Sequence, residues 1–428
     1  MWTAEWWWKV QEMLPKGHTL ASLIISTDKT QLTQFSGSKQ AYPVYLTLGN
    51  IPSSLRRKPS EQACILLAYL PVEKMARGTL SKNEVSSRYQ RLFHAAMTEL
   101  FKPLVAAGKK GVEMASGDGV IRIVHPVLAA YVADYPEQCL VTCSKSKSCP
   151  KCEAGPSELD EPTDFPLRTQ QKTLQVMDDA RTSTTSASAC YKACMAANVN
   201  GNVKQPFWAD LPFTNIHMSQ TPDVLHQLYQ GVLRHLIDWC QQLLTKDELD
   251  ARIRRLPPAL GLRHFKKGIS ALSQISGTER KNIGKILLAC VVDKLHSQAV
   301  TAVRSILDFI YLAQYRTHDL QTLGYMTTAL QRWRDNKQYF IRVKCRGHFN
   351  IPKFHSLVHY VDMIKYFGTT DNFNTEMFER LHIEFAKKGW RASNHRDEFP
   401  QMTVWVTRQE SVKSFAGYLV WVKDQIGA

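Results

Sequence analysis

The 428-residue chain has no apolar run of about 18 residues, which excludes an α-helical membrane span. Its first residues, MWTAEWWWKV, carry no cleavable leader pattern. Internal repeats and sustained heptads are missing, which excludes solenoids and coiled coils. Ten cysteines are too few in a chain this long for a disulfide scaffold. Acid is the scarcer charge: 38 Asp+Glu stand against 54 Lys+Arg, a net charge of +16. The excess is uneven, since residues 231–350 hold 20 Lys/Arg and nine Asp/Glu, so 11 of the 16 net charges fall there. Such a concentration favours an anionic partner over general solvation.

What is present is a globular pattern. At 44% hydrophobic the chain can bury a sizeable core, and its length suggests two to three domains. Residues 23–28, 42–48 and 63–70 read as three consecutive antiparallel strands, and 85–107 as a helix. Residues 119–132 read as a strand ending before Asp134, and 139–143 as one more short strand. Residues 153–215 are polar and predict a loosely packed insertion with one or two helices. Leu225, Leu228, Val232, Leu236, Trp239 and Leu243 form one apolar stripe, predicting a helix over 223–244. A further helix should run from Thr245 to Pro257, two more over 280–335, and a last one over 374–388. Arg342, Lys344 and Arg346 alternate as on a strand. An α/β domain interrupted by a large all-α block fits this order.

Three acids stand out. Asp28 and Asp134 each end an apolar run, where a side chain can leave the edge of a sheet, and Glu379 lies on the late helix. Phosphodiester cleavage uses divalent cations about 4 Å apart, clamped by such carboxylates. Asp118, in a Gly-Asp-Gly turn, rivals Asp134, and Glu376 rivals Glu379.

Cys149 and Cys152 form a CxxC with zinc-ligand spacing. Closing a structural Zn²⁺ site needs two more ligands, for which Cys143, His217 and His226 are the candidates. His355 and His359 make an HxxxH with no Glu after the first His, so it is not a zincin motif, and packed or hydrogen-bonded histidines are expected. Arg252, Arg254, Arg255, Arg263, Lys266 and Lys267 lie in 16 residues free of acid, the pattern of a phosphate-contacting face. Lys387 and Lys388 follow the late helix and can add to it. The Trp2, Trp6, Trp7, Trp8 cluster reads as packing or exposed surface before base stacking.

The segments STDKTQLTQFSGSKQAYPVYLTLGNIP, VLAAYVADYPEQCLVTCSKSKSCPKC, TPDVLHQLYQGVLRHL and IPKFHSLVHYVDMIKYFGTTDNFNTEMFERLHIEFAKKGWRASNHRDE together resemble the Plavaka transposases, CACTA-like cut-and-paste elements of fungal genomes. The resemblance runs from about Trp6 to Arg408, in the family's order. It implies a ribonuclease H-like mixed sheet with a large all-α insertion, and a DDE triad of Asp28, Asp134 and Glu379 using Mg²⁺ or Mn²⁺. It also implies a D-x-x-H signature, here Asp223 and His226, whose side chains share one face of a helix start.

On this reading residues 1–152 begin the catalytic core and end with the CxxC. Residues 153–220 are a polar insertion, 221–350 a basic all-α insertion, and 351–428 return to the core with the third acid. The expected partners are double-stranded DNA and a second copy of the chain, in the nucleus, without a membrane. Family members usually carry a longer N-terminal region, so a fragment or degenerate copy is expected. A domesticated, inactive DNA-binding protein is the alternative, and a hybrid-cleaving nuclease a third reading that the helical block disfavours.

Overall fold

A computed structural model describes the chain except residues 34–36, 74–77, 79, 162 and 427–428. Five strands form one mixed sheet: β1 (Thr19–Thr27), β2 (Pro43–Leu48), β3 (Cys64–Tyr69), β4 (Val112–Ala115) and β5 (Ile121–Val132), in the order β3-β2-β1-β5-β4. The first three are antiparallel neighbours, as their turn-separated apolar runs predict. β5 lies parallel to β1 and β4 antiparallel to β5. The β1–β5 register pairs Ser26 with Val132, so both strands finish side by side.

The centre of the sheet is apolar on both faces, and each is covered there, whereas the edge strand β4 is exposed. Ile25, Val44, Leu128 and Tyr131 pack against α1 (Lys82–Lys110) and the segment that carries Met177, Phe207 and Trp208. Ile24, Tyr45, Ala130 and Val132 pack on the other side against Trp6, Met363, Phe367 and Phe378. Alternate residues of one strand thus serve opposite layers, as the period of two requires. Trp6 is core, while Trp2 and Trp8 are exposed.

The helical block has its own core, spanning Val224 to Ile364 and centred on Trp239, Trp333, Phe340 and Phe354. Trp239 and Trp333 stack at 6.2 Å with their planes 4° apart.

Several local expectations fail for identifiable reasons. Residues 139–143 are not a strand: Asp134 accepts a bond from the Glu137 amide and starts a helix, α2 (Tyr135–Val141), with a proline in its first turn. Three helices rather than two cover 280–335: Gly277–Val291, Ser297–Leu312 and Leu320–Asn336. The Arg342 to Arg346 stretch is a helix end and turn, because Gln338–Arg342 extends the preceding helical layer and Lys344 is left-handed at φ 59°. Residues 153–215 are more closely packed than their polarity suggests, with Trp208 fully buried and its Nε1 bonded to the Val141 carbonyl. A final 29-residue helix, Glu398–Ile426, lies beyond the last helix read from the sequence. No helix among the described residues is long and apolar enough to cross a membrane.

Candidate functional site

The parallel β1–β5 pair explains the first two acids. Asp28 lies two residues beyond Ser26, and Asp134 two beyond its partner Val132, so both leave the same edge of the sheet. Glu379 comes from Thr375–Leu381, whose Phe378 is held against Tyr45 of β2. All three acids are within electrostatic reach: burial raises the Asp28 carboxyl to about 7, and the charges of Asp134 and Glu379 add to the rise against the opposing pull of His226.

His226 joins this group. Its Nδ1 donates to Asp223 Oδ2 at 2.8 Å, and its Nε2 faces Glu379 Oε1 at 3.0 Å. Burial alone would discharge the ring, but the two carboxylates outweigh it and hold the imidazolium up to about 11. Asp223 is almost fully buried and also accepts from Thr375 Oγ1 at 2.7 Å and from the Leu225 amide. The D-x-x-H pair and the late helix are therefore tied through one charged hydrogen-bond chain. The chain after each contributor is wound as a π-helix, Val224–Leu233 and His382–Lys387, a geometry that recurs at functional sites.

A fourth acid lies behind the cluster. Glu137, three residues after Asp134, accepts from Thr27 Oγ1 at 2.6 Å and from the Tyr42 hydroxyl. Burial lifts its carboxyl to about 7 despite those bonds. It was missed in the sequence, where no helix was read between the strand ending before Asp134 and the short strand over 139–143.

The rivals part company here. Asp118 sits at the opposite end of β5, exposed and paired with Arg122 at 2.8 Å. Glu376 is paired with Lys281.

The basic segment is less available than its composition suggests. Arg252 is paired with Glu248 at 2.7 Å and Asp293 at 2.5 Å, and Arg263 with Glu279. Arg254, Arg255, Lys266 and Lys267 are exposed, and Lys388 pairs with Glu384 at 2.6 Å. Lys387 is half-buried. Another group of cations centres on Lys353, which feels Asp223 and Asp134, while its neighbour Arg234 is paired with Asp238 at 3.9 Å. The Lys353 stem crosses Gly231, where any β-carbon would collide with it. Burial lowers the Lys353 ammonium, and the neighbouring Arg234 and Arg280 lower it further against the pull of Asp223 and Asp134. These three are far apart in sequence, so no local charge run marks them.

The thiols are also regrouped. Cys149 and Cys152 meet His355 and His359, not Cys143, His217 or His226. Cys143 lies against His94, His217 bonds Thr173 and the Pro150 carbonyl, and His226 serves Asp223 and Glu379. The histidines are hydrogen-bonded as expected, and their partners are the CxxC thiols, His355 facing Cys152 and His359 facing Cys149.

Asp28 predicts a pH dependence of the metal-free protein. Its folded value of about 7 lies above the unfolded carboxylate value of about 3.9. The folded state therefore keeps a proton that the unfolded chain has released, and stability falls as pH rises between these values. Three units correspond to about 4 kcal/mol at most, less after solvent screening of a partly exposed group. In EDTA the melting temperature should fall from pH 5 to pH 8, with a flatter fall in Asp28→Asn. Equal slopes would place Asp28 in ordinary solvent.

Among known proteins, no curated protein matches the chain. A family model does: the one described as Plavaka transposase matches residues 1–240.

Proposed function

Because the chain belongs to the Plavaka transposase family, we propose that it is the catalytic core of a DDE-type DNA transposase, ribonuclease H-like in fold. The reaction is hydrolysis of a DNA phosphodiester at an element end, followed by attack of the freed 3′-hydroxyl on target DNA. The observation that carries the reading is that Asp28 and Asp134 leave the same edge of the parallel β1–β5 pair, while Glu379 is tied through His226 to Asp223. Three antiparallel strands followed by a parallel one, with acids leaving the first and the parallel strand, support the fold reading. The hairpin partner β4 is an antiparallel edge in this arrangement.

The donor set suits Mg²⁺ or Mn²⁺, because carboxylate oxygens are the hard ligands these ions prefer and the repulsion felt by Asp28 marks a place for positive charge. When bound, such ions neutralise the phosphate and make the attacking hydroxyl more acidic.

The protein's own groups do the rest. Asp28 and Asp134 project from rigid strand ends, which fixes their separation. His226, oriented by Asp223, holds Glu379 toward them. Lys353 is within electrostatic reach of Asp134 and Asp223, with Arg234 and Arg280 around it, and these cations would offer sequence-independent phosphate contact. The chain would work on chromosomal DNA in the nucleus, paired with a second copy to hold two ends.

The test is nicking of supercoiled plasmid by the purified chain in Mg²⁺ or Mn²⁺ against EDTA, with an RNA–DNA hybrid as competing substrate. Metal-dependent cleavage of duplex in preference to hybrid is expected. Salt-dependent DNA binding with no cleavage in either metal would leave a DNA-binding protein and remove the enzyme.

A further inference from the structure

Cys149 and Cys152 follow Asp134 by 15 and 18 residues, while His355 and His359 precede Glu379 by 24 and 20. The two pairs thus lie on the two arms of the chain that leave Asp134 and lead to Glu379. One ligand atom from each of the four lies within 4.8 Å of every other. Cys152 Sγ is 3.2 Å from His355 Nε2, and Cys149 Sγ is 3.4 Å from His359 Nε2. A tetrahedron with Zn–S of about 2.3 Å and Zn–N of about 2.0 Å has S–N edges of about 3.5 Å, so the spacing is that of a ligand shell.

The surroundings are built for the purpose. The Lys151 and Cys152 amides both point at Cys149 Sγ at 3.4 Å, which turns the CxxC into a tight knuckle. Arg168 Nε donates to the Cys149 and Cys152 carbonyls at 2.8 Å each, fixing the knuckle from behind. His355 Nδ1 faces the Leu159 carbonyl at 3.1 Å, which leaves Nε2 free of its proton and aimed at the thiols. Two thiolates with two imidazoles favour zinc over Mg²⁺ or Ca²⁺.

We propose that Cys149, Cys152, His355 and His359 form a structural zinc site that clasps the two arms of the chain and so sets the helix of Glu379 in register with Asp134. The knuckle is anchored to the sheet, since Lys151 Nζ donates to the Gln220 carbonyl, and Gln220 bridges to Tyr131 of β5. From His359 the chain runs directly through Tyr360–Phe367 to the helix of Glu379. The zinc would close a loop over the whole helical block, so that block can shift on DNA without separating the acids. The role in registering Glu379 rests on the transposase reading, but the metal site does not.

The full chain, purified without added metal, should contain one zinc per molecule by elemental analysis. Replacement by Co²⁺ should give the absorption of a tetrahedral thiolate complex. Cys149→Ser and His355→Ala should each retain at least about tenfold less zinc. If those variants fail to fold, the zinc content and cobalt spectrum of the wild-type chain decide alone. Absence of zinc, a Cys149–Cys152 disulfide by mass, or undiminished zinc in both variants would overturn the site. Zinc removal by a chelator that spares Mg²⁺ should raise amide exchange at least about tenfold over residues 375–392. Unchanged exchange there would overturn the clasp while leaving the metal site, and neither result depends on DNA cleavage.

Discussion

Asp28→Asn is expected to lower metal-dependent nicking by about a thousandfold, the scale seen when a preorganised charged group is removed from a transition-state site. The amide keeps the shape of the carboxylate and discards its charge, so the loss is not a packing effect. The same variant should be more stable than the parent in EDTA at pH 8. There Asp28 is ionised in a half-buried place beside Asp134 and Glu379, and the amide removes that repulsion. A rise of about 1 °C in melting temperature is expected for a gain near 1 kcal/mol in a chain of this length. Adding Mg²⁺ should then raise the melting temperature of the parent and leave the variant nearly unmoved. Asp118→Asn is the matched control, since Asp118 is exposed at the far end of β5, and it should alter neither quantity. An Asp28→Asn protein that nicks at the parental rate would remove Asp28 from the chemistry.

His226→Gln should reduce the rate by about 10- to 100-fold, the usual cost of losing a group that orients a metal ligand. Glutamine can reach one carboxylate but cannot bridge Asp223 and Glu379 with a positive charge, as the imidazolium does. The effect should appear as a weaker response to Mg²⁺, because Glu379 is the group set loose. Asp223→Asn should act through the same chain, so the double variant should be little worse than either single one. Additive losses would mean that His226 and Asp223 act separately, and an unchanged rate in His226→Gln would make the contact incidental.

The strand-end acids were legible because the C-terminal halves of β1 and β5 are buried on both faces and therefore read as apolar runs that stop at Asp28 and just before Asp134. What the runs do not carry is pairing: that β1 and β5 lie parallel and adjacent is decided 100 residues apart. Glu379 and its partner His226 were both placed by resemblance to family motifs, the second through the D-x-x-H signature. Convergence of the HxxxH with the CxxC was invisible, because a one-turn histidine pair looks the same whether it meets thiols or a hydrophobic wall. The basic segment misled for the converse reason. It is free of acid in sequence, yet Glu248, Asp293 and Glu279 reach it from neighbouring turns and helices. Lys353, Arg234 and Arg280, scattered over 120 residues, gave no charge run to notice. The 135–141 helix shows local chemistry overriding composition: a β-like Cys-Leu-Val-Thr-Cys stretch is captured by the cap at Asp134.

The most direct measurement is a crystal soaked in Mn²⁺ and recorded at the manganese absorption edge. An anomalous peak bounded by the carboxylates of Asp28, Asp134 and Glu379 is the result predicted. Manganese bound elsewhere, with these three side chains unmoved and unligated, would contradict it.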